Sequence, residues 1–197
     1  LASFRMTEKD RYELKIAGLL HDCGKITTPV HVVDKATKLE TIFDRIHLVS
    51  ERFEILKRDA EIALLNARLS ARAQGDIAAE HVAERDYQTR IQQLEDDRVF
   101  LRRTNIGGER MSAEDQARVE AIAGYRIRNE AGVEIPFLSA DEKSNLNIPY
   151  GTLNPAERKI INHHIEATIN MLEALPWPKH LKNVPEYAGG HHERMDG

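Results

Sequence analysis

Apolar residues recur at helical spacing along most of the chain, and the longest such stretch begins near Thr41. Its apolar positions are separated by alternating steps of four and three residues, the heptad pattern of a helix that packs against another helix. These positions are Ile42, Ile46, Val49, Phe53, Leu56, Ala60 and Ala63. Gly75-Asp76 interrupts the pattern, and a second charged segment with similar spacing ends before Asn105-Ile106-Gly107-Gly108. The two segments predict a long antiparallel helical hairpin.

The many charged residues of this hairpin can be interpreted in two ways. The simpler interpretation is a solvated outer face that binds nothing in particular. The alternative is an intermolecular coiled coil, which would make the chain a homodimer through this region.

The N-terminal segment predicts a helix that ends in a tight loop. Thr7 is followed by acidic residues, the pattern of an N-cap with an acidic first turn, and apolar residues continue at helical spacing to His21. The helix is predicted to end near Gly24, because two β-branched residues and Pro29 follow. The adjacent His21 and Asp22 are therefore placed at a helix end.

Beyond the hairpin, the sequence predicts two further helices separated by a connector. Residues 112–128 form one amphipathic stretch, and a later helix begins at Asn154-Pro155 and is stopped by Pro176. Residues 129–153 lack periodicity and are rich in Gly, Pro and Asn, which predicts a connector. No stretch shows the alternation of a strand, so the predicted fold class is all-α.

Composition and charge exclude several classes of function. The 28 basic against 32 acidic residues give a net charge of -4, so no global basic field is available to bind polymeric nucleic acid or an anionic membrane. No apolar run is long enough to span a bilayer, and the first residues lack a signal-peptide pattern. The single cysteine excludes an intramolecular disulfide framework and a cysteine-based zinc site. We therefore expect a cytoplasmic protein without membrane insertion.

Histidine is the unusual feature of the composition, because the nine copies include three clusters: His21-Asp22, His163-His164 and His191-His192. An imidazole and a carboxylate at a helix end can bind one metal ion, or the carboxylate can bridge two. After the first cluster, Gly24 permits close approach, and Lys25 next to a metal pair can bind a phosphate oxygen.

Each later cluster also has a simpler interpretation. His164 could be a core histidine with satisfied hydrogen bonds, and the late pair could belong to an exposed polar tail. Neighbours on a helix are rotated by about 100°, so only one of His163 and His164 can readily face a shared site. Taken together, His21, Asp22, His164, His191 and His192 supply nitrogen and oxygen ligands without a thiolate. That donor set suits Fe, Mn or a similar ion rather than structural zinc.

The segment Leu19-Leu20-His21-Asp22-Cys23-Gly24-Lys25-Ile26, with Pro29 soon after, resembles the signature of the HD-domain metal-dependent phosphohydrolases. Leu153-Asn154-Pro155-Ala156-Glu157 and His191-His192-Glu193-Arg194-Met195-Asp196-Gly197 resemble the HD-GYP subgroup of that family. The resemblance implies an HD-domain helical bundle with the hairpin inserted in it.

We expect the phosphohydrolase core to comprise residues 1–39 and 147–197, with residues 40–146 as a helical insertion. The family pattern includes a further ligand upstream of His21, and beyond Gly197 a Gly-Tyr-Pro segment and a further aspartate. We therefore expect a core that is truncated at both ends relative to the family.

The resemblance implies a phosphodiesterase that hydrolyses cyclic di-GMP to linear pGpG and GMP in bacterial signalling, with two or three divalent ions, Fe or Mn. A sensor domain, fused or separate, is the partner it implies. Its implied metal ligands are His21, Asp22 as the bridging residue, His164, His191 and His192. Catalytic roles fall to Asp22 and Lys25, and Lys25 would bind a nonbridging phosphate oxygen. Arg194 would contact guanine or phosphate, or would instead form a structural salt bridge.

Two other functions stay open at this point. One is a catalytically silent HD-type module that binds nucleotide or dimerises, which the insertion and the missing ligands favour. The other is an HD phosphohydrolase that acts on another nucleotide.

Overall fold

The computed structural model describes residues 5–193, and the chain divides into two compact units. One combines the residues up to Asp34 with those from Asn154 onward, and we call it the terminal unit. The other comprises residues 35–153, and we call it the hairpin unit. Both units are built mainly from helices, so the predicted all-α class is confirmed. Within residues 5–193, no helix combines the length and the apolar character needed to cross a bilayer.

In chain order, the helices and strands are α1 (Glu8–Leu20), α2 (Val30–Val33), α3 (Ile46–Gln74), α4 (Ile77–Ile106), α5 (Ala113–Ala123), β1 (Arg126–Arg128), β2 (Glu134–Pro136), α6 (Ala140–Leu146), α7 (Pro155–Asn162), α8 (His164–Glu173) and α9 (Val184–Gly189). Short 3-10 turns cover Cys23–Thr27, Lys179–Leu181 and Gly190–His192.

The predicted helical hairpin is present as α3 and α4. Gly75 ends α3 in the left-handed conformation, with φ of 68°, and its N–H donates back to the carbonyl oxygen of Ala71. Asp76 then caps α4 by accepting a hydrogen bond from the N–H of Ala79. A reversal of this kind needs a residue that tolerates positive φ, and glycine does so without steric cost.

The core of the hairpin unit lies between the α3–α4 pair and the elements that follow it. Val49 and Phe53 on α3 and Leu94 on α4 are inaccessible to solvent. The Phe137 ring meets Phe53 edge-on, with 4.7 Å between the ring centroids. Each such fully buried side chain contributes about 1.5–3 kcal/mol to stability.

The predicted heptad stripe of α3 is correct at its centre and wrong at its ends. Its central members Ile46, Val49, Phe53 and Leu56 are all buried. Ile42 lies before the helix and is 96% exposed, and Ala63 is also exposed. The buried face of α3 continues through Leu64 and Ala71 instead.

The prediction of a helix over 112–128 and a connector over 129–153 is wrong in part. The helix α5 ends at Ala123, and β1 pairs in antiparallel register with β2, Ile127 opposite Ile135. The turn between them is held by Asn129, whose side chain accepts from the N–H of Val133 at 2.9 Å. Strands of three residues are too short to show a period of two, so the pattern gave no signal for them.

The predicted connector also contains a capped helix, α6. The Ser139 side chain accepts from the Glu142 N–H, and the Glu142 carboxylate accepts from the Ser139 N–H. This Ser-x-x-Glu pattern is a capping box and was available in the sequence. Glu142 is buried and also pairs with Arg52 of α3, which fixes α6 to the hairpin.

In the terminal unit, the single helix predicted after Asn154 is broken in two. The first part, α7, ends at Asn162, and α8 begins at His164. The intervening His163 has φ of -62° and ψ of -18° and is the C-cap of α7.

The core of the terminal unit joins α1 to α8 and α9. Ala17, Leu172, Val184 and Ala188 form its buried apolar cluster. Glu13 is also buried, and its carboxylate accepts a hydrogen bond of 2.7 Å from the N–H of Asn183 at the start of α9. A buried carboxylate needs such a partner, so Glu13 ties α1 to α9 by a hydrogen bond as well as by packing.

Candidate metal centre

Three of the predicted histidines lie where helices of the terminal unit begin or end. His21 is the C-cap of α1, directly before the 3-10 turn Cys23–Thr27. His164 is the first residue of α8, and His191 lies in the 3-10 turn that follows α9. The fold therefore collects residues from both ends of the chain.

The three imidazole rings are held in the same way. In each, Nδ1 lies at hydrogen-bond distance from the main-chain carbonyl oxygen three residues earlier. The pairs are His21 with Gly18 at 2.8 Å, His191 with Ala188 at 2.6 Å, and His164 with Ile161. A carbonyl oxygen can only accept, so Nδ1 carries the proton and the Nε2 lone pair is left free for a ligand. This arrangement fixes tautomer and ring direction, as in many metal-binding histidines.

The free Nε2 atoms converge on the carboxylate of Asp22. The Oδ2 atom of Asp22 lies 3.2 Å from Nε2 of His21. The Oδ1 atom lies 3.3 Å from Nε2 of His164 and 3.7 Å from Nε2 of His191. The ring of His192 joins the cluster through Nε2, which is 3.3 Å from Nε2 of His164. Three imidazoles thus surround one carboxylate, and the fourth, His192, contacts one of the three.

The donor chemistry of this cluster fits a divalent metal ion. Nε2 of His21, His164 and His191 and both oxygens of Asp22 present lone pairs toward one another. Lone pairs at such distances repel one another unless a proton or a cation lies between them. Imidazole nitrogen with carboxylate oxygen, and no thiolate, is a donor set that first-row divalent metals accept.

The potential ligands form two overlapping groups. One contains His164, His191 and His192, and the other contains His21, Asp22 and His191. Within each group the potential ligand atoms lie within 4.8 Å of one another. His191 belongs to both groups, so neighbouring positions for cations share a ligand residue.

Lys25 lies beside the cluster, and its ammonium group donates a hydrogen bond of 2.7 Å to Oδ2 of Asp22. Burial raises the pKa of the Asp22 carboxyl, but the hydrogen bond and charge of Lys25 and the nearby His21 and His164 outweigh it. The net result is a pKa below the ordinary value of 3.8. Asp22 is therefore an anion at neutral pH, as a metal ligand requires.

Solvent access differs across the cluster. The side chain of His164 is 4% exposed, whereas that of His21 is 40% exposed. Burial lowers the pKa of His192, and the neighbouring His191 and His164 lower it further. A neutral imidazole is the form that binds metal. The centre is closed on the α8 side and open to solvent on the α1 side.

A residue that the sequence analysis did not select, Thr168, supports the centre from α8. Its side chain is fully buried, and Oγ1 accepts a hydrogen bond of 2.9 Å from the N–H of Gly24. Thr168 lies four residues after His164, so it shares a helix face with that ligand. The small residue Gly24 permits this close contact with α8.

His163, which the sequence analysis left out of the ligand set, does not join this cluster. His163 is the neighbour of His164, but its Nδ1 pairs with the carboxylate of Glu166 at 2.8 Å and its side chain is 64% exposed. Arg194 lies outside the described residues. The structure brings together His21, Asp22, Lys25, His164, His191 and His192.

Comparisons with known proteins give two matches, both to family models described as HD domain. One covers residues 2–115 and the other covers residues 110–197. The first match contains the His21, Asp22 and Lys25 segment, and the second contains His164, His191 and His192. In the comparisons with curated proteins and with solved structures, nothing matched.

Proposed function

Because this chain belongs to the HD-domain family, which indicates a metal-dependent phosphohydrolase, we propose that it hydrolyses cyclic di-GMP to linear pGpG and GMP. The convergence of three imidazoles on Asp22, with His192 beside them, is the observation that carries this proposal. Assignment to the HD-GYP subgroup is supported by the run from His191 to Gly197, which resembles the motif of that subgroup.

We assign two or three divalent ions, Fe or Mn, to the centre. His21, His164, His191 and His192 would hold them through Nε2. Asp22 would bridge, since Oδ2 faces His21 while Oδ1 faces His164 and His191. Bound there, such ions supply Lewis-acid stabilisation of the charge on the phosphoryl oxygens and acidify a water molecule.

Lys25 is proposed to bind a nonbridging phosphate oxygen. Its ammonium group has three donors, and one of them is engaged by Asp22. The side chain is 41% exposed, so the remaining donors can meet a substrate. Arg194 is proposed as a second contact, to guanine or to phosphate.

The proposed core of residues 1–39 and 147–197 is supported by the boundaries of the terminal unit, which lie at Asp34 and Asn154. The centre uses residues of that unit alone. A cyclic dinucleotide as substrate and a sensor domain as partner remain part of the same proposal.

The test combines metal content with turnover. The chain is loaded anaerobically with Fe(II) or Mn(II), its metal content is measured by mass spectrometry, and cyclic di-GMP hydrolysis is followed by chromatography. We expect pGpG and then GMP, with both products lost after chelation. If the chain binds metal but hydrolyses only another phosphoester, the proposed substrate is wrong. If it binds metal and hydrolyses nothing, a catalytically silent signalling module is favoured.

A matched pair of variants separates the centre from its surroundings. His164→Ala removes a buried ring whose Nε2 faces Asp22, and we expect it to lose metal and turnover together. His163→Ala removes the adjacent exposed ring, which faces Glu166, and we expect it to keep both. Equal effects of the two substitutions would contradict the assignment.

A further inference from the structure

The chain segments that carry His21 and His191 contact each other at two places. At the first, the Glu13 carboxylate on α1 accepts hydrogen bonds from the main-chain N–H of Asn183 at 2.7 Å and from its side-chain amide at 3.3 Å. At the second, the rings of His21 and His191 meet edge-on, with 4.9 Å between their centroids. Both contacts follow the same chain order, so the two segments run side by side in parallel.

The two contacts are separated by the same length of chain on both segments. Glu13 lies eight residues before His21, and Asn183 lies eight residues before His191. At 1.5 Å per helical residue, Glu13 is about 12 Å from His21 along α1. Any effect of Glu13 on the metal centre therefore passes through the positions of the two helices.

Glu13 has an unusual environment for a carboxylate. It is 6% exposed, and within residues 5–193 its carboxylate bonds to Asn183 without an ion pair. A buried charge without a cation lowers stability relative to an uncharged side chain. Its two oxygens can only accept, so together they match the two donors of Asn183 in one arrangement. Such a contact selects one arrangement of the helices more than it stabilises them.

The apolar packing beside this contact leaves the register of α1 and α9 weakly defined. The buried members of the apolar cluster on these two helices are all small: Ala17, Val184 and Ala188. Small side chains interlock less deeply with a neighbouring helix than large ones, so they resist sliding less. The hydrogen bonds of Glu13 add a fixed point to this packing.

We propose that Glu13 is a positioning residue of the candidate metal centre, and that it sets the separation of His21 and His191 by fixing α1 against the start of α9. This inference rests on the metal centre of the proposed function and is independent of the substrate. A centre whose supporting contacts are lost binds its metal more weakly even when every ligand is present.

The two groups of potential ligands are expected to respond differently to the loss of Glu13. In the first group, His21 and Asp22 belong to α1 and the turn after it, whereas His191 follows α9. A shift of α1 along α9 would pull this group apart. The second group, His164, His191 and His192, has no member on α1 or on that turn.

The test is a titration with Co(II), followed by calorimetry and by visible absorption, which reports the coordination geometry. Glu13→Asp keeps the charge but shortens the side chain by one methylene, and Glu13→Ala removes the contact. Both are expected to lower the affinity of the centre for Co(II) by about tenfold or more and to change the absorption spectrum. Glu13→Gln keeps the reach and one acceptor oxygen, so we expect it to stay close to the parent in both.

Leu172→Ala is the control for a general loss of stability. Leu172 is 2% exposed and belongs to the same apolar cluster, but it lies on α8 and forms no part of the contact between α1 and α9. We expect this variant to unfold at a lower urea concentration than the parent and to keep the Co(II) spectrum of the parent. Equal losses of Co(II) affinity in Leu172→Ala and Glu13→Ala would show that Glu13 acts through stability alone, and would overturn the proposal.

The remaining outcomes separate this inference from the proposed function. If the parent chain binds no Co(II), the metal centre itself is wrong, and the positioning role fails with it. If the parent binds Co(II) and Glu13→Asp binds it equally well, only the positioning role is wrong. If Glu13→Ala does not fold, the comparison of Glu13→Asp with Glu13→Gln decides, and equal weakening in those two variants would overturn the proposal.

Discussion

Gly24 and His164 approach each other so closely that a β-carbon on Gly24 would lie 2.2 Å from the carbonyl oxygen of His164. The same atom would lie 2.5 Å from the main-chain nitrogen of Thr168. Both obstacles are main chain and cannot move aside as a flexible side chain would. The turn that carries Asp22 therefore reaches α8 only because residue 24 has no side chain.

Gly24→Ala is expected to destabilise the terminal unit by about 1–3 kcal/mol, the usual cost of overpacking, and to weaken metal binding. The reason is that the turn must move away from α8, which separates Asp22 from His164. Chemical denaturation and metal titration measure the two effects. Gly18→Ala is the control, because a β-carbon there meets nothing within 4 Å and alanine is favoured within a helix. Unchanged stability of Gly24→Ala would contradict the packing described.

Asp22→Asn is expected to abolish turnover and to lower metal affinity by about 100-fold or more, since it removes the anionic ligand and keeps its shape. Helical content is expected to stay nearly unchanged, because the carboxylate lies at a helix end and supports no core. His21→Ala is expected to behave in the same way. Calorimetry of Mn(II) binding measures the metal affinity, and circular dichroism measures the helical content. Asp34→Asn is the control, because Asp34 is exposed. Retained activity in Asp22→Asn would end the metal-hydrolase assignment.

Thr168→Val is expected to destabilise the chain by about 1–3 kcal/mol, because the buried N–H of Gly24 then has no acceptor. Thr168→Ser keeps the hydroxyl and is expected to recover the greater part of that loss. Urea denaturation of the two variants provides the comparison. If Thr168→Val and Thr168→Ser lower the free energy of unfolding by the same amount, the effect comes from packing and the hydrogen bond contributes nothing.

The buried ion pair of Glu142 with Arg52 predicts acid sensitivity of the hairpin unit. Burial raises the pKa of Glu142, but the hydrogen bonds from Arg52 and Ser139 and the charge of Arg52 outweigh it, so the net pKa lies below 4.5. A carboxylate with a lowered pKa stabilises the fold above its unfolded pKa, and the contribution is lost as the pH falls through the folded pKa.

We therefore expect the free energy of unfolding to fall as the pH decreases below about 4.5, and to fall less steeply in Glu142→Gln. Denaturation at a series of pH values measures this slope. Glu130→Gln removes an exposed carboxylate and is expected to keep the parent slope. A slope in Glu142→Gln as steep as that of the parent would contradict the role given to the pair.

The long helices were predictable from the sequence, whereas the two short strands were not. The hairpin has enough turns for its periodicity to outweigh local exceptions, and Gly75-Asp76 marks its reversal. The strands β1 and β2 depend on tertiary packing of Ile127, which is 6% exposed. No local sequence pattern predicts these strands. The break at His163 lies inside a continuous apolar period and was equally invisible.

The candidate residues of the centre could be chosen from the sequence, but their arrangement could not. Residue type and clustering selected the histidines, whereas the direction of each ring depends on where its helix ends. Thr168 was missed because a buried threonine on an apolar face has no distinctive signal in one sequence. Its hydroxyl gains a role only after the turn at Gly24 docks against α8.

The acceptors that orient His21, His164 and His191 are carbonyl oxygens of the main chain, at Gly18, Ile161 and Ala188. A substitution at any of those three positions changes a side chain and leaves the acceptor in place. Side-chain substitutions at these positions therefore leave the tautomers of the three rings unchanged, provided that the helices continue to end where they do. The position of each helix end is therefore as necessary to this centre as the ligand residue that it carries.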